Sequence, residues 1–199
     1  MENSKRKDVL RKCLDTFVTK GLAKTTSRDL SAALELQSGG LYYYFKTKDD
    51  AVIACAEEAA LMLEQNLILP CLLDLSDPEA LIEKLRRRAD ELSPTMRFFT
   101  NVCATEKYRE QLAPKIEGLN KRYKHYAYVF AGKLSCRTEE IEPYVYMAIT
   151  AVSSYMMFGN ADHIASQMNL LKEKLYEINE RSPDYNTVKE KNNGNCRSD

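Results

Sequence analysis

The side chains of this 199-residue chain best suited to nucleophilic or metal chemistry are two histidines, His125 and His163, and six cysteines: Cys13, Cys55, Cys71, Cys103, Cys136 and Cys196. No two cysteines form a C-x-x-C pair. Two histidines at unrelated spacing do not make a ligand set, so no metal and no cofactor are expected. An enzyme would need a nucleophile, a base and a group to orient the base. Cys103 with His125 is the available Cys–His pairing, but nothing in the sequence supplies its geometry. There is no Gly-rich phosphate loop, and an enzyme is not expected. A different chemistry is signalled between residues 26 and 50, TSRDLSAALELQSGGLYYYFKTKDD. Arg28 and Lys48 lie at predicted helix N-termini, where cations and backbone N–H groups can hold phosphate oxygens. Ser38, Gly39 and Gly40 are small enough to let a ligand reach the backbone, and Tyr42, Tyr43 and Tyr44 crowd the adjoining surface. Two glycines in a row at a helix start cost about 1 kcal/mol each against alanine. They mark either a loop or a place where something, a DNA backbone or a thymine methyl, comes close.

These residues need two short helices and a tight turn to position them. Thr26 is a good N-cap, and Asp29 three residues on completes a reciprocal cap. Leu30, Ala33 and Leu34 share one helical face. Glu35-Leu36-Gln37 has room only for a turn. A second helix is expected from about Ser38 to Phe45, with Leu41 and Phe45 inward. Thr47 and Asp50 repeat the capping pattern and launch a long helix. Two helices joined by three or four residues have the geometry that places the second in a DNA major groove.

Gly21, Thr26, Leu30, Gly39, Leu41-Tyr42, Tyr44-Phe45 and Lys48, in this order and spacing, resemble the DNA-binding signature of the TetR (tetracycline-repressor) family. The resemblance covers roughly residues 8 to 55. Two positions depart from it. The turn reads Leu34-Glu35-Leu36 where the family usually has Ala-Gly-Val, and Gln37 stands where a Ser cap is usual, with Ser38 next to it. The resemblance implies that Tyr42 contacts phosphate. It gives Tyr44 either a phosphate contact or a packing role. It also implies dimerisation through the two terminal helices and a small-molecule pocket in the C-terminal region.

Composition agrees with a helical protein: seven Gly and six Pro are low counts. The 29 Lys and Arg balance the 29 Asp and Glu, but unevenly. Residues 1–50 hold ten basic and seven acidic side chains, a charge of +3, and the remainder holds 19 and 22, a charge of −3. The N-terminal excess suits a phosphate backbone, weakly. The charged start reads as no signal peptide, and no run of 18 apolar residues occurs. A cytoplasmic protein with reduced, core-filling thiols and no membrane partner is expected.

Along the chain, residues 5–20 read as a first helix with the stripe Val9, Leu10, Cys13, Leu14 and Phe17. Its basic cluster Lys5, Arg6, Lys7, Arg11 and Lys12 fits either phosphate contact or a solvated face. Gly21 stops it. A long helix from 48 to about 69 ends at Pro70 and reads as a link between two domains. Asp77-Pro78-Glu79 starts a helix to about Leu92, Ser93-Pro94 starts another to about Thr105, and Pro114 starts or kinks one that runs to about Leu134. Arg86-Arg87-Arg88 reads as a solvated face. Residues 143–158 show two apolar stripes, one through Val145, Ile149, Val152 and Met156, the other through Tyr144, Met147, Ala151, Ser154 and Phe158. Such a helix needs two partners. The 161–180 helix carries Ile164, Met168, Leu171, Leu175 and Ile178 at bundle spacing. These two helices are the expected homodimer interface.

The expectation is an all-α chain of about nine helices. Residues 1–50 would be a three-helix helix-turn-helix DNA-binding domain, 51–182 a larger ligand-binding and dimerisation domain, and 183–199 a flexible tail. The function expected is a dimeric transcriptional regulator, most simply a repressor, on a palindromic double-stranded operator. Its DNA-binding residues would be Thr26, Ser27, Arg28, Ser38, Gly39, Gly40, Tyr42, Tyr43, Tyr44 and Lys48. A small apolar or aromatic effector would meet Met62, Asn66, Met96, Phe99, Cys103, Tyr123 and Tyr126, residues that also read as ordinary core. The alternative is a helical protein-interaction adaptor that uses the motif only for packing.

Overall fold

The computed structural model describes residues 2–37, 40–70, 75 and 77–181. Among them are seven α-helices and no strand: α1 Glu2–Lys20, α2 Ser27–Ala33, α3 Lys48–Leu63, α4 Pro78–Ala104, α5 Glu106–Leu134, α6 Thr138–Phe158 and α7 Ala161–Arg181. A single 3-10 turn, Gly40–Tyr43, lies between α2 and α3, and Glu64–Ile68 carries α3 onward in π geometry. No helix among the described residues is long and apolar enough to cross a membrane.

Local chemistry sets most of these ends. Gly21 takes φ +87 and donates its N–H to the Phe17 carbonyl at 2.8 Å, the left-handed stop that spares an L side chain its steric cost. Thr47 and Asp50 form a reciprocal cap at the head of α3, with Thr47 N–H donating to Asp50 Oδ2 at 2.9 Å and Asp50 N–H to Thr47 Oγ1 at 3.1 Å. Asp77 caps α4 by accepting the Ala80 N–H at 3.1 Å.

Two changes take the expected nine helices to seven: the helices expected to meet at Pro94 are one continuous α4, and the expected recognition helix is described only as the 3-10 turn. Pro94 was read as a helix start and Pro114 as a start or kink, yet both, like Pro143, sit inside continuous helices. A proline removes one backbone donor, which orphans the carbonyl four residues earlier. Residues 90, 110 and 139 supply those carbonyls, and all three residues are exposed, where the loss of one helical bond costs least.

The chain forms two compact units. The first comprises residues 1–68 and 90–119, and so takes the later part of α4 and the earlier part of α5. The second takes α4 through Ala89, α5 from Asn120, and all of α6 and α7. This grouping differs from the 1–50 and 51–182 division drawn on the motif. The physical reason is a shared core in the first unit. Cys13, Leu14 and Phe17 of α1, Leu30 of α2, Leu41 and Phe45, and Val52, Cys55, Ala56 and Ala59 of α3 are buried in one cluster with Phe98, Val102, Tyr108 and Leu112. The Phe17 and Phe98 rings stack with centroids 5.5 Å apart. Cys55 donates its thiol to the Leu10 carbonyl at 3.7 Å. A hydrogen bond with Cys13 and burial push the Cys55 thiol up, so it serves as a small neutral core group.

In the second unit α6 turns back on α7 through Gly159 and Asn160, whose side chain accepts the His163 N–H at 3.0 Å. All five apolar residues of the α7 stripe, Ile164, Met168, Leu171, Leu175 and Ile178, are buried within the chain itself. Lys172 pairs with Glu79 at 3.1 Å, and the buried Asn179 amide donates to the Leu75 carbonyl at 3.4 Å. The expected flexible tail, 183–199, lies outside the described residues.

Replacing Phe98 with alanine removes a stacked ring from the first unit. The expected loss is roughly 3–5 kcal/mol of stability, read as an earlier urea midpoint. A midpoint unchanged from wild type would show that α4 contributes nothing to this core.

Candidate nucleic-acid interface

The interface is assembled by caps and by one buried leucine. The Thr26 hydroxyl accepts the Asp29 N–H at 3.2 Å and donates to Asp29 Oδ2 at 2.7 Å, and the Thr26 N–H also donates to that oxygen at 2.7 Å. Lys20 holds the other oxygen at 2.6 Å. The Lys20 ammonium, followed by the Thr26 N–H and hydroxyl, holds Asp29 well below the usual carboxylate range. Thr26 is therefore fully engaged in the cap, and it presents half-buried Ser27 and exposed Arg28 in the first turn of α2.

The turn after α2 runs through a left-handed residue. Glu35 takes φ 58, and its N–H donates to the Ala32 carbonyl at 3.0 Å, while the Leu36 N–H reaches the Ser31 carbonyl at 2.9 Å. This is where the resemblance has glycine and this chain does not. The left-handed conformation costs an L residue roughly 1–2 kcal/mol. Lys12 of α1 meets the Glu35 carboxylate at 3.3 Å.

Leu41 is fully buried. Its N–H donates to Ser31 Oγ at 3.4 Å, a link from α2 to the recognition turn. Ser31 was not singled out from the sequence, although positions 27, 30, 31 and 34 fall on one helical face and put it beside Leu30 on the inner side. With Leu41 and Phe45 pointing in, the tyrosines point out. Tyr42 is 57% exposed and Tyr43 86%, and the Tyr43 and Tyr44 rings meet edge to face at 5.0 Å. Lys46, which the sequence reading passed over, is exposed in the bend between Phe45 and Thr47, and half-buried Lys48 opens α3.

The expected recognition helix from Ser38 to Phe45 appears in its described part as the 3-10 turn alone. The Leu41 carbonyl accepts from both Tyr44 and Phe45 N–H groups at 3.0 Å, so the segment closes after one turn. Ser38 and Gly39 lie outside the described residues. Gly40 has a reason of its own for lacking a side chain. A Cβ there would fall 2.5 Å from Leu36 Cβ, far inside contact distance. The close approach that the glycines signalled is, at Gly40, made by the protein itself.

Residues 10–55 match the family model of bacterial regulatory proteins, tetR family. That stretch is similar to the DNA-binding domain of TetR-family transcriptional regulators. The matched stretch spans the apolar side of α1, both reciprocal caps, the recognition turn and the first half of α3, so the TetR signature and the geometry above coincide. No curated protein sequence matches the chain.

The seven residues read as effector contacts fall in both units. Met62, Phe99 and Cys103 are partly buried against the core of the first unit, and Met96 of the same unit is half-buried. Asn66 is exposed, and its amide donates to the Met62 carbonyl at 2.8 Å. Tyr123, half-buried, and Tyr126, buried, belong to the second unit.

Gly40→Ala is expected to lower stability by about 1–3 kcal/mol through overpacking against Leu36. The same change in a Leu36→Ala background should cost much less, since the obstructing side chain is gone. Thermal denaturation of the four proteins gives the coupling. Equal losses in both backgrounds would refute the packing account.

Proposed function

We propose that two copies of the chain bind a palindromic DNA operator as a homodimer, repress transcription there, and release the operator when a small apolar or aromatic effector binds. The observation that carries this reading is the recognition turn. A buried leucine fixes it from below, three tyrosines face outward above, and Arg28 and Lys48 stand in the first turns of the helices before and after it, within residues that match a DNA-binding family. In this reading Arg28, Lys48, Tyr42 and Tyr44 hold phosphates, with Ser27 beside them and Thr26 acting through the cap. Tyr43 reaches sugars or base edges. Ser38, Gly39 and Gly40 approach the bases, where small residues give readout by backbone proximity and methyl contact. Two turns related by a twofold axis would meet successive major grooves about 34–36 Å apart.

For the dimer, α6 supports the reading better than the α7 stripe does. That stripe is spent inside the chain. Phe158 at the end of α6 is 80% exposed, and Tyr146 and Leu170 are also exposed. On the second α6 stripe, Tyr144, Met147 and Ser154 are only half-buried. For the effector, Met62, Met96, Phe99 and Cys103 offer an apolar, polarisable lining in the first unit, with Asn66 as a polar neighbour, and Tyr123 and Tyr126 stand as candidates in the second.

Lys48→Ala should weaken binding to every duplex and reduce the salt slope by about one unit. Fluorescence anisotropy across a salt series measures it, and an unchanged slope removes Lys48 from the phosphate contacts. Sedimentation of the same samples should give twice the chain mass, and a single-chain mass at all concentrations would defeat the dimer. A thermal-shift screen should find an apolar or aromatic compound that raises the melting temperature, and a screen in which none does would count against the effector.

A further inference from the structure

The head of α3 carries Lys48 together with two carboxylates, Asp49 and Asp50. Asp50 is engaged by the Thr47 cap. Asp49 is not part of that cap, and a carboxylate beside a phosphate-holding lysine opposes the binding of a polyanion. Its two oxygens are taken by the start of α5. Lys107 Nζ donates to Oδ2 at 2.5 Å, and the Tyr108 hydroxyl donates to Oδ1 at 2.7 Å. The Lys107 ammonium also lies 5.6 Å from the centre of the Tyr108 ring, and that ring is buried in the core of the same unit.

The α4–α5 corner that presents this pair is built at Thr105. Its N–H reaches the Asn101 and Val102 carbonyls, its hydroxyl donates to Asn101 at 2.8 Å, and its carbonyl accepts the Tyr108 N–H at 3.0 Å. Eight residues further along both helices, Lys115 meets Glu57 at 3.4 Å, so the α3–α5 pairing advances in step. Residues 46–50 sum to zero charge, two lysines against two aspartates. Lys107 makes the sum positive.

We propose that Lys107, which lies outside the family-matched stretch, is a positioning residue for DNA binding: it neutralises and tethers Asp49 so that Lys48 meets a phosphate unopposed. This rests on the DNA-binding reading above. Lys107 and then Tyr108, by hydrogen bonding, lower the Asp49 carboxyl, and burial with the Asp49 bond and charge pushes Tyr108 up to about 12, so the carboxylate is ionised and needs this compensation.

The test compares wild type, Lys107→Gln, Asp49→Asn and the double variant. Each is measured for affinity to a mixed-sequence DNA duplex at low salt and for melting temperature. Both single changes break the same contact and should lower the melting temperature alike. Their effects on DNA should differ in sign. Lys107→Gln should weaken binding roughly two- to fivefold, the scale of one exposed charge pair, whereas Asp49→Asn should bind at least as tightly as wild type and the double variant should return to wild-type affinity. Wild-type affinity in Lys107→Gln overturns the inference. So does a double variant as weak as Lys107→Gln, which would make Lys107 a direct phosphate contact, and so does equal weakening by both single changes, which would make the contact merely structural. Failure of the wild type to bind any duplex would instead sink the DNA-binding reading itself.

Discussion

The apolar cluster under the recognition turn is larger than the helices that carry the turn. Residues up to the middle of α3 amount to a chain length at which burial barely offsets conformational entropy. Here Phe98, Val102, Tyr108 and Leu112 complete the cluster from α4 and α5. Small residues make this possible. Ala51, Cys55, Ala56 and Ala59 leave the side of α3 flat enough for neighbours to pack closely, and all are fully buried. The position of Leu41, and with it the outward aim of the three tyrosines, depends on that cluster being filled.

Electrostatics is arranged around the same core. Each carboxylate near the interface has a local cation or cap: Asp29 with Lys20 and Thr26, Glu35 with Lys12, Asp50 with Thr47, and Asp49 with Lys107 and Tyr108. These are surface contacts of small individual energy. Their common effect is on the field, since they offset the negative charges that share this unit with Arg28, Lys46 and Lys48.

Much of this was legible in the residues. The two Thr–Asp caps follow from side-chain chemistry three residues apart. The stop at Gly21 and the inward Leu41 and Phe45 are local properties, and local properties can be read from a sequence. What was misread depended on neighbours. Pro94 and Pro114 looked like breaks because the sequence does not show that residues 90 and 110, whose helical bonds they remove, are exposed. The α7 spacing suited its own chain as well as another subunit, and the burial of Ile164, Met168, Leu171, Leu175 and Ile178 within the chain could not be read from it. Gly40's close neighbour Leu36, four residues earlier, was likewise not visible in the sequence. Ser31 was overlooked because a lone serine is silent until its hydroxyl is found against the Leu41 N–H.

The contact between Leu36 and Gly40 reaches beyond folding. It sets the loop before the 3-10 turn against that turn's first residue, so any side chain at position 40 needs a smaller one at position 36. A protein engineer who grafts a foreign segment onto this scaffold meets the outward tyrosines outside the core. Positions 36 and 40, by contrast, must travel as a matched cassette, and a donor segment with a bulkier residue at the second position demands a trimmed one at the first.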